Sequence, residues 1–73
     1  MGRFKKCELS LVNWSGTPMF RVELLNGEFN DFFLSFGESL KDLQKRVEHF
    51  CFYRRIDLSE KDFDSIILDY NNN

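Results

Sequence analysis

The sequence predicts an α+β fold. A three-stranded antiparallel β-meander, at about residues 4–14, 19–25 and 28–36, is followed by two α-helices, at about 39–55 and 59–70, packed on one face. Three observations predict it. Apolar and polar residues alternate up to residue 25, the period of a half-buried strand. After Ser39 the period lengthens to that of an amphipathic helix. Between the two regimes stands Asn26-Gly27, a strong short-range hairpin signal.

In the first segment Cys7, Leu9 and Leu11 fall on one face, with Lys6, Glu8 and Ser10 on the other. Ser15-Gly16-Thr17-Pro18 is turn chemistry, and Pro18, which has no N–H to give a ladder, suits a strand entrance. The second segment opposes Phe20, Val22 and Leu24 to Arg21 and Glu23. Asn26-Gly27 then predicts a type I′ turn, because both residues tolerate positive φ. The third segment, EFNDFFLSF, has helical spacing at Phe29, Phe32, Phe33 and Phe36, but Phe32, Leu34 and Phe36 also run at period two. Only Phe29 is out of phase with that run. A bulge near Asn30-Asp31 restores the phase, so a bulged strand is preferred to a helix.

The first helix carries Leu40, Leu43, Val47, Phe50 and Cys51 on one stripe, and Ser39 with Asp42 three later reads as a capping box. Residues 50–56 read as a continuation of that helix to about residue 55. For the second helix, Ser59 is the expected cap, Asp62 its answering residue, and Leu58 a staple against Phe63. Phe63, Ile66, Ile67 and Tyr70 line its inner face, and residues 71–73 are an expected frayed tail. No repeat or linker interrupts the chain, which reads as one small domain.

The 73 residues are 42% hydrophobic and 16% aromatic, which argues against disorder. No apolar run approaches the roughly 20 residues of a membrane helix, and no signal-peptide pattern is present. Nine residues are Phe and none is Ala. That bias fits an AT-rich coding sequence, of the kind phages and mobile elements carry. Cys7 and Cys51 match no zinc spacing and are too few for a secreted disulfide scaffold, so both read as reduced core residues of a cytoplasmic protein. No metal and no cofactor is expected.

Catalysis finds no constellation: the single His49 has no partner legible in the sequence, and neither a nucleophile elbow nor a phosphate loop is present. A net charge of −2 gives no strong bias toward nucleic acid, but its distribution is uneven. Arg3, Lys5 and Lys6 open the chain without an acid, whereas after Ile56 come Asp57, Glu60, Asp62, Asp64 and Asp69 against Lys61 alone. The aromatics exceed what one small core can hide. If positions 32, 34 and 36 point inward, Phe33 points out, and Phe52 and Tyr53 lie off the stripe of their helix.

The expected function is therefore that of a small non-catalytic module acting by stoichiometric binding to another protein, as an adaptor, inhibitor, immunity or anti-defence protein. Trp14, Arg21, Phe52, Tyr53, Arg54 and Arg55 are the expected contacts, since aromatics and Arg are enriched at interface hot spots. Glu60, Asp62, Asp64 and Asp69 are the expected steering charges. A homodimer through the sheet is an intermediate case. The alternative is a nucleic-acid-binding regulator using a basic-aromatic sheet face, carried by Lys5, Lys6, Trp14, Arg21, Arg54 and Arg55. Against it, Glu8, Glu23 and Glu28 lie on or beside that face.

Overall fold

The computed structural model describes residues 3–72. Strands β1 (Cys7–Trp14), β2 (Thr17–Leu24) and β3 (Phe29–Phe33) form one antiparallel sheet in the order β1-β2-β3, followed by helices α1 (Leu40–Tyr53) and α2 (Phe63–Asn71). The α+β meander expected from the periodicity is the observed architecture. Phe20, Val22, Leu43, Val47 and Cys51 are its most deeply buried side chains, so the core lies between the inner face of the sheet and the helices. Ring pairs join the layers edge to face: Phe20 with Phe63 at 5.6 Å and Phe32 with Phe50 at 5.0 Å between centroids.

The first hairpin is tight. Trp14 pairs with Thr17, and the two residues between them have positive φ, +50° at Ser15 and +85° at Gly16, as a type I′ turn requires. Asn13 Oδ1 accepts the Gly16 N–H at 2.7 Å and completes it.

The second hairpin differs from the expected type I′ turn. Gly27 has positive φ but Asn26 does not. The Gly27 N–H reaches the Leu24 carbonyl at 3.0 Å, and the Leu24 N–H reaches the Glu28 carbonyl at 2.7 Å. That is a three-residue loop with the bulge at Gly27. It also relocates the irregularity expected near Asn30-Asp31. The pairing of β2 with β3 runs unbroken from Glu23↔Phe29 to Met19↔Phe33, so Phe29 and Phe33 share the outer face and Phe32 faces the core. β3 also ends earlier than expected. The Leu34 N–H still reaches the Pro18 carbonyl at 3.0 Å, but Phe36, expected inside, sits on the following turn and is 97% exposed. There the chain turns at Gly37, and the Glu38 N–H bonds to the Ser35 carbonyl.

α1 starts as its sequence predicts. Ser39 Oγ accepts the Asp42 N–H, and the Asp42 carboxylate accepts the Ser39 N–H, which is the reciprocal capping box. Its end comes at Tyr53 rather than residue 55. The Ile56 N–H bonds back to the Cys51 carbonyl and the Arg55 N–H to that of Phe52, a Schellman closure with Arg55 at φ +56°. Burial of Ile56 beside Cys51 drives this closure, because it turns an apolar side chain into the core.

α2 begins three residues later than a Ser59 cap would place it. Asp62 is the cap, accepting the Ser65 N–H at 3.1 Å and its hydroxyl at 2.9 Å. The Ser59 N–H is taken by the Asp57 carboxylate, and the Lys61 N–H closes a turn onto the Leu58 carbonyl. Asp57 thereby competes with the helix for its first turn. Asn71 is the last helical residue and Asn72 the cap, and Asn73 lies outside the described residues.

Candidate functional site

The core closes without much of the aromatic complement. Five of the nine Phe, at 4, 29, 33, 36 and 52, are exposed, as are Trp14 and Tyr53. All but Phe36, which stands alone on the turn after β3, gather into two surfaces at different places on the fold.

The first surface is the outer face of the sheet, which no helix covers. The strand pairings place Val12, Met19 and Phe33 in one row across all three strands, with Trp14 two residues further along β1. Met19 is only 3% exposed although it lies on the face away from the helices and outside the main core cluster. Its neighbours on that face shield it, as expected of cross-strand side chains about 5 Å apart. The next row holds Ser10, Arg21 and Asp31. The Arg21 guanidinium donates to both Asp31 oxygens, at 2.7 and 2.9 Å, and lies 4.2 Å from the Phe29 ring centroid. Hydrogen bonding to that carboxylate raises the Arg21 pKa above its ordinary value. Beyond it Glu8 stands directly opposite Glu23.

The second surface surrounds the C-terminal end of α1. An open groove of about 580 Å³ is lined there by Phe4, His49, Phe52 and Tyr53, with Cys51, Ile56 and Phe63 at its buried floor. Tyr53 is 78% exposed and stands edge to face against both Phe52 and His49. Phe4 reaches the groove because Lys5 pairs with Ile56 in a short parallel bridge: the Lys5 N–H bonds to the Arg55 carbonyl, and the Asp57 N–H to that of Lys5. Arg55 lines the adjoining hollow with Phe4, Phe52 and Tyr53. Arg54 lies 5.0 Å from the Phe50 ring centroid, on the helix flank.

Trp14 and Arg21 thus belong to one surface and Phe52, Tyr53 and Arg55 to another. Of the acidic residues, Asp62 serves as the α2 cap and Asp64 pairs with Lys41 at 2.7 Å, while Glu60 and Asp69 are exposed without an ion pair among the described residues. Lys5 and Lys6 border a small apolar hollow with Leu24 and Leu25 beside the second hairpin. Phe4, Phe29 and Phe36 were not singled out by sequence reasoning. The Gly27 bulge places Phe29, the early end of β3 places Phe36, and the Lys5–Ile56 bridge places Phe4. Gly27 was the only local signal for any of them.

Cys7 and Cys51 are both buried in the main core and unbridged. Burial pushes the Cys51 thiol up to about 12 and raises that of Cys7, whose Sγ donates to the Asp57 carbonyl at 3.6 Å. Both are therefore thiols at neutral pH. Among the described residues no helix is long and apolar enough to cross a membrane. Comparison with protein-family profiles, curated proteins and solved structures returns no match.

Proposed function

We propose that the protein is a non-catalytic binding module that forms a stoichiometric complex with another protein, in the manner of an adaptor or inhibitor. One observation carries this reading: Phe20, Val22, Leu43, Val47 and Cys51 complete the deepest layer of the core, while Trp14, Tyr53 and five Phe stay outside it. Solvating that much aromatic surface is unfavourable, at roughly 25 cal/mol per Å² of apolar area. Grouping all of it except Phe36 in two patches suits an interface rather than random scatter.

The sheet face favours protein over nucleic acid as the partner. Its one central cation, Arg21, is already neutralised by Asp31, and Glu8 faces Glu23 beside it. A polyanion would meet two uncompensated carboxylates there.

Affinity capture from extracts of the cell that encodes the protein tests the reading. Wild type is expected to retain one protein at a stoichiometric ratio, and either Trp14→Ser or the pair Phe52→Ser/Tyr53→Ser is expected to lose it. Capture indifferent to both variants overturns the reading. So does tight binding of generic single-stranded DNA at about 0.1 M salt that weakens steeply as salt rises.

A further inference from the structure

We propose that the groove at the C-terminal end of α1 docks an acidic segment of the partner protein, which seats one large apolar side chain between Phe4, Phe52 and Tyr53 and places a carboxylate on Arg55. This rests on the protein-binding reading above and adds the chemistry of the partner.

The floor of the groove is apolar and fixed. Cys51, Ile56 and Phe63 are buried members of the core cluster, so the rings above them stand on a rigid base. The walls are the exposed parts of Phe4, Phe52 and Tyr53. An inserted side chain would cover ring surface that nothing in the described chain covers.

The charge at the rim has one sign in excess. Arg55 and Lys61 line the two hollows, and Glu48 is the single acid among the lining residues. Three cations are held internally, Arg21 by Asp31, Lys41 by Asp64 and Arg46 by Glu38, whereas Arg3, Lys6 and Lys45 are unpaired among the described residues but line neither hollow of the groove. Arg54, Arg55 and Lys5 have no such carboxylate among the described residues. Arg is suited to bidentate recognition of a carboxylate, and it works best beside excluded water.

Arg55 also occupies the left-handed position of the helix end, at φ +56°, where glycine is the usual residue. A residue with a Cβ is disfavoured there, and such outliers concentrate at functional sites. The helix end would form at least as well with glycine, so the guanidinium is not needed for the closure itself.

A short acidic motif fits this surface better than a nucleic-acid strand. The groove runs on between α1 and α2 past Glu48, Glu60, Asp62 and Asp64, where a continuous polyanion would be repelled. A peptide needs its carboxylates only at the Arg55 end.

NMR titration of the ¹⁵N-labelled protein tests the proposal. The probes are a short Asp/Glu-rich peptide with one central Phe, the same peptide with Asn/Gln for its acids, the same peptide with Ala for its Phe, and oligo-dT of equal charge. The acidic Phe peptide is expected to shift amides of residues 49–56 and Phe4 and to leave Trp14 unmoved. Neutralising its acids, removing its Phe, or making Arg55→Gly or Phe52→Ser in the protein is each expected to weaken binding about tenfold or more, or about 1.4 kcal/mol. Arg55→Gly keeps the helix end, so its loss of binding reports the guanidinium rather than the fold. No shifts at millimolar peptide, equal binding of the neutral peptide, or stronger shifts of the same residues by oligo-dT each overturns the proposal. Should the proposal fall while Trp14→Ser still abolishes partner capture, the binding-module reading stands without this occupant. If capture is also indifferent to both variants, that reading falls too.

Discussion

At the N-terminal end of α1 the polar side chains are tied to the chain; at its C-terminal end Phe52, Tyr53 and Arg55 face solvent. Ser39 and Asp42 cap one another, and Arg46 donates to both oxygens of Glu38 at 2.8 Å while also bonding the Phe33 carbonyl. Glu38 further accepts the Ser35 N–H at 2.9 Å. These bonds fasten β3, the connecting turn and α1 into one unit. Fourteen residues of helix separate this end from the other, where an arginine of the same chemistry has no internal carboxylate. The contrast teaches that residue type does not separate a structural arginine from one free to bind. What separates them is whether the chain returns a carboxylate to it.

The comparison can be sharpened by substitution. Leu43→Ala, in the tied half of α1, removes a fully buried side chain and is expected to cost about 2–5 kcal/mol. A domain this small has about 3–5 kcal/mol in total, so loss of the cooperative transition by circular dichroism is the expected readout. Ser39→Ala breaks the capping box and is expected to cost about 1 kcal/mol, measured by urea denaturation. At the free end, Arg55→Gly is expected to stabilise by about 0.5–1 kcal/mol, because it relieves the positive φ at some cost in chain entropy. A destabilised Arg55→Gly protein would mean that the side chain holds the fold and that the two ends are alike.

The pH dependence falls on the tied end as well. The hydrogen bonds from Arg46, then that from the Ser35 N–H, lower the Glu38 pKa from 4.5 to about 2. A depressed carboxylate contributes stability that is complete above its unfolded value and is lost as pH falls toward the folded one. Stability is therefore expected to decline from about pH 4.5 down to about 2. The Glu38→Gln protein should show a shallower slope across that window, and an unchanged slope would place the dependence elsewhere. The smallest effect is expected at the free end: Phe52→Ser and Tyr53→Ser should each move stability by about 0.5 kcal/mol, because both rings are largely exposed and their edge-to-face contacts are with one another and His49. A larger loss for either would show that the ring belongs to the core.

Much of the tied end was legible because its signals are local. The capping box lies within four residues, and the stripe of Leu40, Leu43, Val47, Phe50 and Cys51 has a helical period that burial then follows. Trp14, Arg21, Phe33, Phe52 and Tyr53 were placed outward by the same phase arguments, and they are partly or largely exposed. The start of α2 was misplaced because Ser59 and Asp62 are both competent caps, and the choice fell to Asp57, which takes the Ser59 N–H. Phe29 and Phe36 were misplaced because a single residue at Gly27 and the length of β3 decide their faces, and a one-residue slip reverses every side chain of a strand.

The sequence by itself determined the order of elements, the inner faces of β1, β2 and both helices, and an excess of aromatics over what a small core holds. Periodicity and capping act over a few residues, so they can be read before folding. Only the tertiary structure decided where that excess goes. The bridge between Lys5 and Ile56 joins residues 51 positions apart and brings Phe4 to Phe52, Tyr53 and Arg55. Pairing across the sheet likewise sets Val12, Met19 and Phe33 side by side. Both surfaces are assembled from distant segments. Each therefore exists only once the core has closed and fixed those segments against one another.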